Sequence, residues 1–180
     1  MLLVVAGCRD ATATASLDAA WQALRQGEAV ALIRHAIAPG IGDPPNFTIG
    51  DCATQRTLSE EGRVQSRRIG ATFRDRGISE AAVFSSQWCR CLETARLLGF
   101  GPVEAVPDLN SFFADRARAA AQTAALRVFI AKLPPQRPSI LVTHQVNITA
   151  LTGIYPASGE IIIVQAGDDG LGAVLGRFVP

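Results

Sequence analysis

Ala29–Pro39 reads AVALIRHAIAP, five apolar residues that break off abruptly at Arg34-His35. A buried parallel strand has this look: a continuous hydrophobic run, polar only where it leaves the sheet. In open α/β sheets ligands sit outside the carboxyl ends of the strands, so Arg34 and His35 point into a candidate site. Taken alone, an Arg-His pair is better read as two exposed polar residues at a strand end. A second arginine and a second histidine at matching places, Arg90 and His144, change that reading.

Upstream of this strand, Ala11–Ser16 is small and hydroxylic and reads as a flexible tether. Ser16 caps a predicted helix from Leu17 to about Arg25, ended by Gly27. Downstream, Pro39–Thr54 is rich in Gly, Pro, Asn and Asp, a loop able to shape or cover a site. Ser59, followed by Glu60 and Glu61, marks the start of a helix that runs to about Arg76 and stops at Gly77. Ala81–Ser86 is a second strand and Trp88–Leu98 a helix, with Val103–Val106 a third strand. Asp108–Asp115 reads as a loop, and Arg116–Leu133 as a helix ended by Pro134-Pro135. Ser139–Thr143 is a fourth strand that delivers His144 at its tip, and Val146–Leu151 begins another helix. Glu160–Gln165 and Ala173–Phe178 form two last strands, a hairpin around Gly167–Gly170. The alternation predicts an α/β fold, a three-layer α/β/α sandwich with a mostly parallel central sheet over residues 16–180.

A chain of 180 residues, 48% of them hydrophobic, can build a sizeable core closed on both faces of such a sheet. The net charge of +1, with both signs scattered, excludes the concentrated basic face that nucleic-acid binding needs. No apolar run reaches the ~18 residues of a membrane span. Met1–Gly7 is apolar, and Val5-Ala6-Gly7-Cys8 resembles the lipobox of bacterial lipoproteins, in which the cysteine is acylated. The stretch has no basic n-region and is short for a signal peptide. Residues 1–15 are therefore expected to be a signal remnant and tether, with Cys8 lipidated as an anchor to membrane and the protein periplasmic or in the cell envelope. Cys52, Cys89 and Cys91 then remain, enough for one disulfide and one free thiol. Cys52 pairs with Cys89 or Cys91, tying the loop after His35 to the segment that carries Arg90. Cys91 is the preferred partner. With two histidines and no CxxC pair, a metal site is not expected.

Two arginines can hold a phosphate dianion through charge-assisted forks, while a histidine between them attacks phosphorus. Leu32-Ile33-Arg34-His35-Ala36 resembles the RHG motif of the histidine phosphatase (phosphoglycerate-mutase-like) superfamily. Ser85-Ser86-Gln87-Trp88-Cys89-Arg90-Cys91-Leu92-Glu93-Thr94-Ala95 resembles its SSxxxRxxxTA segment, and Leu58–Gly62 its LTxxG helix start. Leu141-Val142-Thr143-His144 resembles its strand-borne second histidine. The matches keep the family's order from about residue 29 to residue 153. The resemblance implies a small single-domain member in which His35 is the nucleophile and Arg34, Arg90 and, if protonated, His144 hold the phosphoryl oxygens.

Departures from the pattern bear on the chemistry. Ala36 replaces the glycine of RHG, a small change that still lets the backbone approach a phosphate. Arg56 is a candidate substitute for a further arginine, and Gln145 stands where acid phosphatases carry aspartate; both are candidate substrate-binding residues. Where mutase-like members place a glutamate, this chain has Ser111, so Asp108, Asp115 and Glu160 are the candidate acids and the role stays open. The function expected is hydrolysis of phosphomonoesters through a phosphohistidine on His35, by an exported enzyme that takes a small phosphorylated substrate and no metal or cofactor. A cytosolic phosphohistidine-protein phosphatase and a non-catalytic phospholigand-binding lipoprotein are the alternatives. The mutases themselves are longer and carry insertions that this chain lacks.

Overall fold

The computed structural model describes residues 8–167 and 170–180, with side chains from Ser16 onward. Met1–Gly7 and the Cys8 side chain, on which the lipid-anchor expectation falls, lie outside what it describes. Among the described residues, five α-helices and six strands follow in order: α1 (Cys8–Gln26), β1 (Ala29–Arg34), α2 (Glu60–Asp75), β2 (Ala82–Ser85), α3 (Cys89–Leu97), β3 (Val103–Ala105), α4 (Ala119–Ala131), β4 (Ser139–Thr143), α5 (Gln145–Thr152), β5 (Ile161–Gly167) and β6 (Gly170–Phe178).

The strands form one sheet in the order β3-β2-β4-β1-β5-β6. The pairs β3–β2, β2–β4 and β4–β1 are parallel, while β5 and β6 add antiparallel to the edge of β1. β1 is thus central, with neighbours on both edges and layers on both faces, which is why Ala29–Ile33 is apolar throughout. Successive side chains point to opposite faces. Ala29, Ala31 and Ile33 pack with Trp21 and Leu24 of α1, Ile69 and Phe73 of α2, and Ala95 of α3. Val30 and Leu32 pack on the other side with Leu126 and Ile130 of α4 and Ile148 and Leu151 of α5. These are the three layers.

Two elements differ from the sequence reading. Ala11–Ser16 is helical rather than a tether, because the alanine-rich run extends α1 back to Cys8 and leaves Ser16 inside it. Arg116–Arg118 forms a separate 3₁₀ turn, and α4 begins only at Ala119. Elsewhere ends shift by a few residues. Ser59 caps α2 as expected, its side chain accepting from the Gly62 amide. Gly62 has a second purpose: a Cβ there would run into the Ile37 carbonyl, so only glycine lets α2 close on the chain just past His35.

Candidate active site

β1 and β4 are parallel neighbours with Arg34 opposite Thr143, so the next residues, His35 and His144, leave the sheet side by side. Their ring centroids are 5.5 Å apart. β2 lies on the far side of β4 and hands over to Ser86 and α3, whose second residue is Arg90. His35, Arg90 and His144 are each 3% exposed, a degree of burial that makes every hydrogen bond among them consequential.

His35 Nδ1 donates to the Ala36 carbonyl at 2.9 Å, which makes Nε2 the unprotonated ring nitrogen. Arg90 Nε faces that nitrogen at 3.2 Å. Burial, then the charge of Arg90, pushes the His35 pKa down to about 3, so the ring is neutral. Burial, then the neighbouring His35, also holds His144 well below its ordinary value. His144 is therefore neutral in the free site. Ser86 Oγ donates to Asn110 Oδ1 at 3.2 Å and so receives the His144 Nε2 proton at 2.8 Å. That tautomer turns the Nδ1 lone pair toward Arg90 Nη2, 3.5 Å away.

Arg90 does not hold its terminal fork open for a ligand. Nη1 and Nη2 donate to Asp43 Oδ1 and Oδ2 at 2.7 and 3.1 Å. Asp43 also accepts from Trp88 Nε1 at 2.9 Å and from the Arg56 amide at 3.2 Å. Burial alone would raise the Asp43 carboxyl, but hydrogen bonds and charge from Arg90, with the Trp88 and Arg56 bonds, carry it below the ordinary aspartate value. Asp43 was not singled out in the sequence. The one signal for it was the Gly42-Asp43-Pro44-Pro45 corner in the long loop that follows His35.

The other predicted residues divide. Arg34 lines the cavity, gives Nη1 to the Pro156 carbonyl at 2.9 Å, and keeps a buried Nε with no protein acceptor. Burial lowers its pKa, and that of Arg56. Arg56 also lines the cavity, but it braces the loop: Nε donates to the Gly42 carbonyl at 2.8 Å and Nη1 to that of Ala38. Gln145 is at the wall with its amide turned to Thr149 Oγ1, 2.9 Å away. Of the three candidate acids only Asp115 lines the cavity. Asp108 sits in a 3₁₀ turn outside it. Glu160 is 3% exposed and spent on the Ala157 amide and Arg177, both at 2.7 Å, which removes it from the list. Ala36 gives its amide to Thr94 Oγ1 at 3.1 Å.

The disulfide joins Cys52 to Cys89, with Cα atoms 5.6 Å apart, and not to the preferred Cys91. Cys91 is a helical step further round, buried against the sheet with its thiol 3.4 Å from His144 Nε2; burial pushes its pKa up to about 12. The bridge is reinforced where the Cys89 amide donates to Gln55 Oε1 at 3.0 Å.

All of this opens into a cavity of about 550 Å³. Its floor is Arg34, His35, Arg90 and His144, and its rim carries Ile41, Phe113 and Tyr155, all exposed. Among the described residues, no three His, Cys, Asp or Glu side chains gather as a metal-ligand set.

Residues 30–115 match the family model described as the histidine phosphatase superfamily (branch 1). No curated protein matches the chain. Among solved structures, it is similar to the protein histidine phosphatase SixA complexed with tungstate, at 19% identity, covering 84% of this chain and 97% of that one with a TM-score of 0.60. It is similar also to mycobacterial glucosyl-3-phosphoglycerate phosphatase complexed with VO3, at 17% identity, 80% and 95% coverage and a TM-score of 0.57. A third is phosphoserine phosphatase from Entamoeba histolytica in complex with 3-phosphoglyceric acid, at 13% identity, 83% and 95% coverage and a TM-score of 0.60. At these identities the likeness concerns the fold.

Proposed function

Because the chain belongs to the histidine phosphatase superfamily, we propose that it is a phosphatase that hydrolyses phosphomonoesters through a phosphohistidine on His35. The observation that carries this reading is the neutral His35 ring on the cavity floor, its Nδ1 proton fixed on Ala36 and its unprotonated Nε2 accepting from Arg90 Nε. Nε2 attacks phosphorus, the P–N bond forms, and the P–O bond to the leaving group breaks. Water then attacks the phosphorus from the cavity, the P–N bond breaks, and inorganic phosphate leaves with His35 restored. Arg34 and Arg90 neutralise the equatorial oxygens, so the protein contributes chiefly position and electrostatics. A bound dianion favours the protonated form of His144, which then donates to it. Tungstate, VO3 and 3-phosphoglyceric acid in complex with the similar proteins support a small phosphorylated substrate.

Retention of a correctly tautomerised nucleophile favours turnover over mere ligand binding. Export is part of the same proposal, and its support is the Cys52–Cys89 bridge, a bond that persists in oxidising compartments. The test is hydrolysis of p-nitrophenyl phosphate by the wild type and by His35→Ala. Activity lost in the variant, with label from the substrate on His35 of the wild type after a quench that avoids acid, is the expected result. Label on another residue, or undiminished turnover by His35→Ala, sinks the reading.

A further inference from the structure

Arg90 has five N–H donors, and the structure accounts for each. Its end-on edge is taken: Nη1 and Nη2 grip the two oxygens of Asp43. The second proton of Nη1 turns to the Arg56 carbonyl at 3.5 Å. What is left is the side-on edge, Nε and the second proton of Nη2, which point at His35 Nε2 and His144 Nδ1. That edge lies between the two histidines, where a phosphoryl group under attack by His35 would put two of its oxygens.

The direction of a guanidinium edge depends on what holds the opposite edge. Asp43 is itself immobilised, since four donors converge on its two oxygens and its side chain is 9% exposed. A carboxylate that swung in only to plug an empty site would not be held by the Trp88 indole and the Arg56 amide as well. We propose that Asp43 is a positioning residue for phosphoryl transfer: it clamps the end-on edge of Arg90 so that the side-on edge, and not the fork, meets the phosphoryl oxygens beside His35. The inference rests on the phosphatase reading above only for its kinetic readout. The geometry itself predicts how the site binds a phosphate.

The test uses Asp43→Asn in the intact, disulfide-bonded protein. An amide sets N–H against N–H at Arg90 and keeps the shape, so kcat should fall on the order of 10²-fold, the loss typical of one misplaced oxyanion donor. Affinity for inorganic phosphate, measured by calorimetry without turnover, should weaken about tenfold. Because Asp43 acts through Arg90, the same change made in Arg90→Ala should cost no further activity. The loss should also be equal for aryl phosphates of good and poor leaving groups. A loss that grows with the basicity of the leaving group would make Asp43 the proton donor and overturn the proposal. Tighter phosphate binding or faster turnover in Asp43→Asn would make it a competing internal anion, which also overturns it. Should Asp43→Asn not fold, Trp88→Phe removes one of the four donors and should lower kcat about threefold in the same pattern; an unchanged kcat there counts against the clamp. If the wild type proves inactive, the phosphatase reading fails alone, and the phosphate-binding measurement still decides the role of Asp43.

Discussion

The floor of the cavity hangs from the sheet, whereas its outer wall hangs from the two loops around Gly40–Phe47 and Ser111–Arg118. On the floor, His35, Arg90 and His144 are fixed by strand register and by bonds to backbone or buried side chains. On the rim, Ile41 is 90% and Tyr155 72% exposed, with nothing packed over them. Chemistry that tolerates little misplacement sits where the backbone is over-determined; recognition of the rest of a substrate sits where residues can change without cost to the core. The loop Pro39–Thr54 belongs to both, because it reaches the rim through Ile41 and the floor through Asp43.

Removing Arg90 breaks the floor most directly. Arg90→Ala removes donors on two edges and strands Asp43 as a buried unpaired carboxylate, so kcat/KM should fall about 10³-fold or more, roughly 4 kcal/mol. Arg90→Lys should recover little of it, because one ammonium cannot grip Asp43 and face His35 together. Kinetics on p-nitrophenyl phosphate decide the matter, and a lysine variant of near wild-type activity would show that the floor needs only charge.

The disulfide ties wall to floor. Cys52 and Cys89 close a loop over a separation of 37 residues, for which the chain-entropy model gives about 3–4 kcal/mol. Cys52→Ser should lose that much stability in urea unfolding. It should also lower kcat several-fold, since Asp43 and Arg56 ride on the released loop. Stability lost with kcat intact would mean that the loop holds its place unaided, and wall and floor would then be mechanically separate.

Much of the floor was legible in the sequence, for a physical reason. A fully buried strand must be apolar until it leaves the sheet, so Arg34-His35 and His144 announce themselves at the ends of AVALI and SILVT. Arg90 was legible through its spacing from Ser85-Ser86. Asp43 was not, because its side-chain partners Trp88 and Arg90 lie 45 and 47 residues away and only the fold brings them together. The choice between Cys89 and Cys91 turned on the phase of α3, which periodicity over nine residues does not settle. Glu160 resembled a loop acid until Arg177, from the last strand, paired with it.

Acid separates floor from wall by stability. His35 is neutral when folded, with a pKa of about 3, and titrates near 6.5 when unfolded. Between these values the unfolded chain binds the extra proton, so stability is complete above about 6.5 and falls as pH drops toward 3. From pH 8 to pH 5 His35 contributes a loss of about 2 kcal/mol, and His144 adds to it in the same direction. Paired unfolding curves should show a pH 8-to-5 difference smaller by that amount in His35→Ala than in the wild type. An identical difference would mean that the His35 ring is protonated in the folded state, which contradicts its role as an unprotonated nucleophile.

The smallest effect belongs to the rim. Phe113 is 43% exposed at the edge of the cavity, with the Arg116 guanidinium stacked 5.1 Å over its ring, so it can cover part of a substrate without touching the phosphoryl group. Partial burial of one ring is worth on the order of 1 kcal/mol. Phe113→Ala should therefore raise KM about fivefold for naphthyl phosphate and leave kcat unchanged. For acetyl phosphate, which is too small to reach the rim, KM should not move. If KM rose equally for both substrates, Phe113 would be acting through the floor, and the division between a wall that recognises and a floor that reacts would fail at this residue.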